Sequence, residues 1–227
     1  AMHGRCRIPV PHVHLAQLYG ACALAFARLA GALGDPVWLD RAGQVLTLAR
    51  QRFGLPDGGF RDAVPDADLP FTPRQFTDEP TPSATSLLVA ALRQVAALAG
   101  RRDLADMADV AAHGLYGAVA QSPQYAGWGL LDVVVTRADS SARPAQVVVV
   151  TPTPAGQVDE LACAAWRLAP EGSAVVVGRR GTPGFGGLFN DRPCQDGRAT
   201  AYVCRGQTCF MPVTEYAELR APLWGDA

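Results

Sequence analysis

Between Leu15 and Leu33 the chain carries only Gln17 and Arg28 as strongly polar side chains, and Leu15, Leu18, Cys22, Phe26, Leu29 and Leu33 recur at three- and four-residue spacing. That period predicts an amphipathic helix whose large residues face a core of other helices. A lipid-exposed span would hold Arg28 in hydrocarbon at considerable cost, so no membrane partner is expected. Gly34 can end this helix in a left-handed conformation, Asp35 can cap the next and Pro36 suits its first turn, after which Trp38, Ala42, Val45, Leu46, Ala49 and Phe53 continue an apolar face. A second pair follows the intervening loop. Leu87, Leu88, Ala91, Leu92, Val95 and Leu98 form one face, Gly100 ends that helix, and Asp103 can cap a partner bearing Leu104, Met107, Ala108, Ala111 and Leu115.

An offset of 66 residues lays the two pairs on one another, Gly34 on Gly100, Asp40 on Asp106, Ala42 on Ala108 and Leu29 on Val95. A repeated helix-turn-helix unit buries its inner face only against neighbours, which suggests a solenoid or toroid of α/α hairpins. Two units do not close a ring. From residue 123 the pattern changes. Val147–Val150 and Ala174–Val177 are β-branched runs on either side of a helical stretch, 157–169, with Val158, Leu161, Ala162, Ala165 and Leu168 on one side, which reads as strand, helix, parallel strand. Ala201–Cys204 and Cys209–Val213 read as a hairpin, and Thr214 is placed to cap a last short helix through Leu219. The expected fold class is mainly α with a smaller α/β part: a partial α/α toroid over residues 8–122, then a small mixed α/β unit, 123–227, packed on it.

Charge narrows the function classes. Twenty basic residues nearly balance 21 acidic ones, so no nucleic-acid surface is expected. Every basic residue is Arg, which rules out a Schiff-base lysine, a pyridoxal-phosphate lysine and a Walker A lysine on this chain. The six cysteines form no C-x-x-C pair, and His12 and His14 stand at i,i+2, which faces them apart on a helix, so neither a metal nor a cofactor is expected. No small-residue cleavage site precedes the first helix, and the cytoplasm is the expected compartment.

Three motifs in order carry a resemblance: Asp57-Gly58-Gly59-Phe60-Arg61-Asp62, then Asp78-Glu79-Pro80-Thr81-Pro82-Ser83-Ala84-Thr85-Ser86, then Thr200–Cys204 with Thr208-Cys209 and Pro212-Val213. Together they are similar to the C-terminal part of the spermatogenesis-associated, thioredoxin-domain-containing family. The resemblance implies a six-hairpin α/α toroid like that of sugar epimerases and six-hairpin glycosidases, preceded in the family by a thioredoxin-like domain, with only the tail of such a protein expected in these residues. The family usually has Gly-Gly-Gly-Phe-Phe-Asp in the first loop and Asp-Gly-x-x-Pro-Ser-Gly-Asn-Ser in the second. Asp57, Arg61, Glu79, Ala84 and Thr85 depart from it, and Thr85 replaces an amide by a hydroxyl.

Arg61, Asp62, Asp78 and Glu79 are therefore the candidate ligand-binding residues at a toroid mouth, where carboxylates can serve acid/base chemistry on a sugar. The same aspartates can instead fix turns and satisfy backbone donors. Cys204 and Cys209 flank a four-residue hairpin turn and are a candidate redox pair, or else small buried hydrophobes. The Gly181–Gly187 run reads as a surface loop, and Thr151–Pro154 leads into a helix whose N-terminus can receive an anion. Trp128, Trp166, Trp224, Tyr125 and Phe185 can stack on sugars or fill a core. The leading expectation is a carbohydrate-related toroid module with a sugar or sugar-like partner. The competing one is a non-catalytic interaction or scaffold module that pairs with a second copy or a thioredoxin-like partner, and the loop departures favour loss of catalysis.

Overall fold

A computed structural model describes residues 15–65, 71–78, 80–137, 144–154, 157, 159–206 and 208–224. Candidate Glu79 lies outside them, as do Val158, His12 and His14. Helices α1 (Ala16–Leu33), α2 (Pro36–Phe53), α3 (Ala84–Ala99), α4 (Arg102–Gln121) and α5 (Gly127–Arg137) come first. Strand β1 (Gln146–Val150), α6 (Glu160–Leu168), β2 (Ala174–Gly178), β3 (Thr200–Arg205), β4 (Thr208–Cys209) and a terminal α7 (Arg220–Trp224) follow. The protein is thus mainly α with a small mixed sheet.

The punctuation works as local chemistry dictates. Gly34 and Gly100 both adopt left-handed conformations, φ 63° and 66°, at the ends of α1 and α3. The Asp35 carboxylate accepts the Val37 amide at 3.0 Å, with Pro36 opening α2. Asp103 does not cap α4: the cap position is Arg101, without a side-chain bond, and Asp103 sits in the first turn paired with Arg101 at 2.5 Å.

The apolar face of α1 is the main correction. Its buried residues are Ala16, Tyr19, Gly20, Ala23, Leu24, Ala27, Ala30 and Gly31, whereas Leu15, Leu18, Leu29 and Leu33 are 49%, 48%, 39% and 58% exposed. Cys22 is exposed and Phe26 half-buried. The expected core stripe therefore faces outward, and the small residues pack. The reason is close approach. A Cβ on Gly20 would stand 2.7 Å from Leu87 Cβ, and one on Gly31 would stand 2.2 Å from the Val175 carbonyl oxygen. Alanine and glycine let α3 and β2 reach the α1 backbone, and larger side chains on that face would push both away. On α2 and α3 the expected apolar faces are buried or half-buried, as are those of α4.

The sheet order is β2-β1-β3-β4, with β1 parallel to β2 and antiparallel to β3. Successive side chains alternate between its faces. Val148, Val150, Ala174 and Val176 join the helical core, while Val147, Val149, Val175, Ala201 and Val203 pack with Leu161, Ala165, Leu219 and Leu223. The sheet is therefore sandwiched, helices α1 and α3 on one face and α6 with the C-terminal turns on the other. The glycine run near residue 184 is not a free surface loop: Phe185 and Phe189 are fully buried, and a Cβ on Gly186 would stand 2.6 Å from the Ala99 carbonyl carbon.

These contacts predict opposite outcomes for neighbouring positions on one helix. Gly31→Ala should lower stability by about 1–3 kcal/mol, whereas Leu29→Ala should stay within about 0.5 kcal/mol, both read by urea denaturation. Equal losses would contradict the orientation of α1.

Candidate functional site

The two loops that carry the family resemblance meet where α1 and α3 begin. The Ala16 amide donates to the Asp62 carbonyl at 2.8 Å, and Gln17 Nε2 donates to Thr81 Oγ1 and the Pro82 carbonyl, each at 2.7 Å. Within the first loop Asp57 accepts the Gly59 amide at 2.9 Å and pairs with Arg74 at 2.7 Å, and these two contacts, in that order, hold its carboxyl below the usual aspartate range. Gly58 has φ 83°, the left-handed conformation that the turn requires of a glycine, while a Cβ on Gly59 would meet only the movable Arg74 guanidinium.

Arg61 and Asp62 lie half-buried on this loop. Asp62 Oδ2 accepts the Gln75 amide at 2.7 Å, while Oδ1 is buried with no protein partner. Burial raises its carboxyl above the ordinary range, against the pull of the Gln75 amide and the Arg74 charge. Arg61 Nη2 reaches the Gly54 carbonyl at 3.4 Å, and its Nε is also buried without a partner. Thr85 Oγ1, in the first turn of α3, is a third such atom. Each of the three residues thus keeps one buried polar atom without a protein partner.

Asp78 is engaged elsewhere. Its two oxygens accept the Ser83 amide at 2.9 Å and the Trp128 amide at 2.8 Å, clamping the start of α3 to the start of α5. Ser83 in turn caps α3 through the Ser86 amide at 3.1 Å. Among the described residues Arg61 forms an ion pair with neither aspartate. The geometry supports anchoring by Asp78, and it leaves Arg61, Asp62 and Thr85 each with a buried polar atom unsatisfied by the protein and lining none of the cavities described below.

A cavity of about 540 Å³ opens between α3, α5 and the lower edge of the sheet, with Arg93, Gln94, Trp128, Asp132 and Gln146 in its wall. Arg93 holds the buried Asp132 through Nε at 2.6 Å and Nη2 at 3.1 Å, Tyr116 adds a hydroxyl at 3.2 Å, and Asp109 takes the remaining guanidinium nitrogen at 2.7 Å. Burial pulls the Arg93 pKa down, but the bonds and charges of Asp132 and Asp109 outweigh it and leave it raised. The sequence concealed this pair because α5 reads Gly127-Trp128-Gly129 and then Val133-Val134-Val135, a glycine-flanked β-branched stretch with weak helix propensity. The i,i+4 spacing of Trp128, Asp132 and Thr136 was the available signal.

A second cavity, about 630 Å³, lies at the carboxyl ends of β1 and β2, lined by Thr151, Asp159, Cys163, Arg167 and Arg179. The expected anion position at the start of α6 is already filled. Asp159 caps that helix through the Ala162 amide at 3.0 Å and accepts the hydroxyls of Thr151 at 2.6 Å and Thr153 at 3.1 Å, so a second negative charge would be repelled. Cys204 and Cys209 are register partners on β3 and β4 and are joined by a disulfide. Among the described residues no group of three His, Cys, Asp or Glu side chains could hold a metal ion.

The raised Asp62 carboxyl has a signed consequence. A group whose folded pKa exceeds its unfolded value contributes stability below the unfolded value and loses it as pH rises through the folded one. Asp62→Asn should therefore raise the melting temperature at neutral pH, and the gain should vanish as pH falls below the ordinary aspartate value of 3.8. A gain independent of pH would contradict the burial of this carboxyl.

In comparison with known proteins, no protein-family model and no curated protein matches this chain.

Proposed function

We propose that the chain is an α/α-toroid module of the spermatogenesis-associated, thioredoxin-domain-containing kind, and that its role is non-catalytic assembly through the exposed face of α1. The observation that carries this reading is the 66-residue correspondence between α1 and α3. The α1 positions Leu18, Ala21, Cys22, Ala25, Phe26, Leu29 and Ala32 correspond to Ala84, Leu87, Leu88, Ala91, Leu92, Val95 and Leu98 of α3. All seven of those α3 residues are buried, and Leu87 and Leu88 lie directly on Gly20 of α1.

Helix α1 thus offers one mostly small-residue face and one face of larger residues. The large face of α3 sits on the small face of α1, and the large face of α1 is bare apart from the half-buried Phe26. Its complement is a further hairpin whose inner helix presents alanine and glycine, supplied by the same polypeptide or by a partner. Arg28, at the margin of this face and paired with Glu171 at 2.7 Å, disfavours a lipid surface as the occupant, although α1 has the length and apolarity of a membrane span. The cytoplasm remains the proposed compartment.

A duplication tests the reading. Inserting a second copy of residues 16–81, with its own Cys22→Ser, ahead of residue 16 keeps the 66-residue period and places an α1-type small face on the original α1. The original Cys22 should then lose most of its reactivity towards a thiol reagent, and the melting temperature should rise. Unchanged Cys22 reactivity would refute the stacking.

The cavity beside Arg93 favours a second reading, a small acidic sugar held by the module. Its size, the Trp128 ring, the Gln94 and Gln146 amides and the nearby Arg102 suit a hydroxylated carboxylate. Uronic acids at about 100 times their dissociation constant would stabilise the fold by about 2.7 kcal/mol. No change in melting temperature up to millimolar uronic acid would remove this reading.

A further inference from the structure

The disulfide between Cys204 and Cys209 has two unlike ends. Cys209 lies on β4, the two-residue edge strand, and is exposed, whereas Cys204 is only 6% exposed. The guanidinium of Arg192 stands over the buried end, with Nη2 3.6 Å from Cys204 Sγ. Its other terminal nitrogen donates to the Leu188 carbonyl, and the group lies 5.7 Å from the centroid of the Tyr202 ring. Among the described residues Arg192 forms no ion pair with a carboxylate, so its charge is not neutralised by an acidic neighbour.

This asymmetry matches the requirements of thiol–disulfide exchange. The attacking thiolate needs access to one sulfur, and the departing sulfur leaves faster when its thiolate is stabilised. We propose that Cys204–Cys209 is an exchangeable disulfide that a partner dithiol reduces by attacking Cys209, with Cys204 as the leaving thiolate stabilised by Arg192. The partner thiolate forms a bond to Cys209 Sγ, the Cys204–Cys209 bond breaks, and its electron pair passes to Cys204 Sγ. The partner's second thiol, as thiolate, then displaces Cys209, which leaves as a thiolate. The partner ends as a disulfide, two electrons have entered this chain, and the partner's two protons bring both cysteines to thiols at equilibrium.

The position gives exchange a structural consequence. Gly206, in the turn that the disulfide closes, is part of the wall of the cavity beside Arg93, and Arg205, the last residue of β3, donates to the Leu223 carbonyl of α7. Reduction frees the edge strand and loosens that wall and its tie to the last helix. The inference is independent of the assembly reading, since the α1 face contributes nothing to it.

Mass spectrometry can read both ends separately, because trypsin cuts after Arg205 and places Cys204 and Cys209 on different peptides. Folded protein prepared without reductant is treated briefly with excess 2-mercaptoethanol, quenched in acid and alkylated. The expected product carries mercaptoethanol on Cys209 and the alkyl group on Cys204. Dithiothreitol should reduce the folded protein, and Arg192→Gln should slow that reduction roughly three- to tenfold while Arg192→Lys retains most of the rate. In urea the three proteins should react alike, which separates the effect of the guanidinium from a general change in the chain. Adducts on Cys204, equal folded-state rates for wild type and Arg192→Gln, a disulfide that yields only after unfolding, or two free thiols in protein never exposed to reductant would each overturn the proposal.

Discussion

The near-contact between the backbone of α1 and its neighbours is the constraint on which the rest of the structure depends. Gly20 lies under Leu87 and Leu88, Gly31 lies under the Val175 carbonyl, and neither position has room for a Cβ. One helix therefore joins the helical hairpins to the sheet. Because α1 uses mainly its smallest residues for this purpose, Leu18, Leu29 and Leu33 have no place inside, and a strongly apolar face is left at the surface. Dispersion at short range from the packed face replaces the burial that the leucines would have supplied.

The same arrangement explains why the chain has one continuous helical core reaching into the sheet. Val148, Val150, Ala174 and Val176 fill the space between β-strands and helices, and the opposite valines serve α6 and the C-terminal turns. Phe185 and Phe189 pin the glycine-rich segment onto the end of α3, where Gly186 meets Ala99 and Gly100. Polar groups are held at the margins of this core. Asp78 joins two helix starts, Asp159 closes the start of α6, and Arg93 with Asp132 ties α3 to α5.

The loop residues divide by what they touch. Asp57 and Asp78 are consumed by backbone amides and Arg74, and removing them would undo turns rather than chemistry. Arg61, Asp62 and Thr85 each keep a buried polar atom without a protein partner at the start of the hairpin array.

The existence and type of α1 to α4, the β-α-β unit and the final hairpin were legible in the sequence, because hydrophobic period and the stop signals at Gly34 and Gly100 act locally. The outward face of α1 was not legible. A three-and-four spacing of leucines and a three-and-four spacing of alanines and glycines occupy opposite sides of one helix, and only the distance of approach of α3 and β2 decides which side is buried. Helix α5 was hidden by its glycines and valines, and with it the bond from Arg93 to Asp132, since residues 39 apart meet only when two helices are laid together. The sequence by itself determined a cysteine at each side of the turn, Cys204 and Cys209; that one is buried beside Arg192 and the other exposed follows from strand pairing and packing, which act across the whole chain.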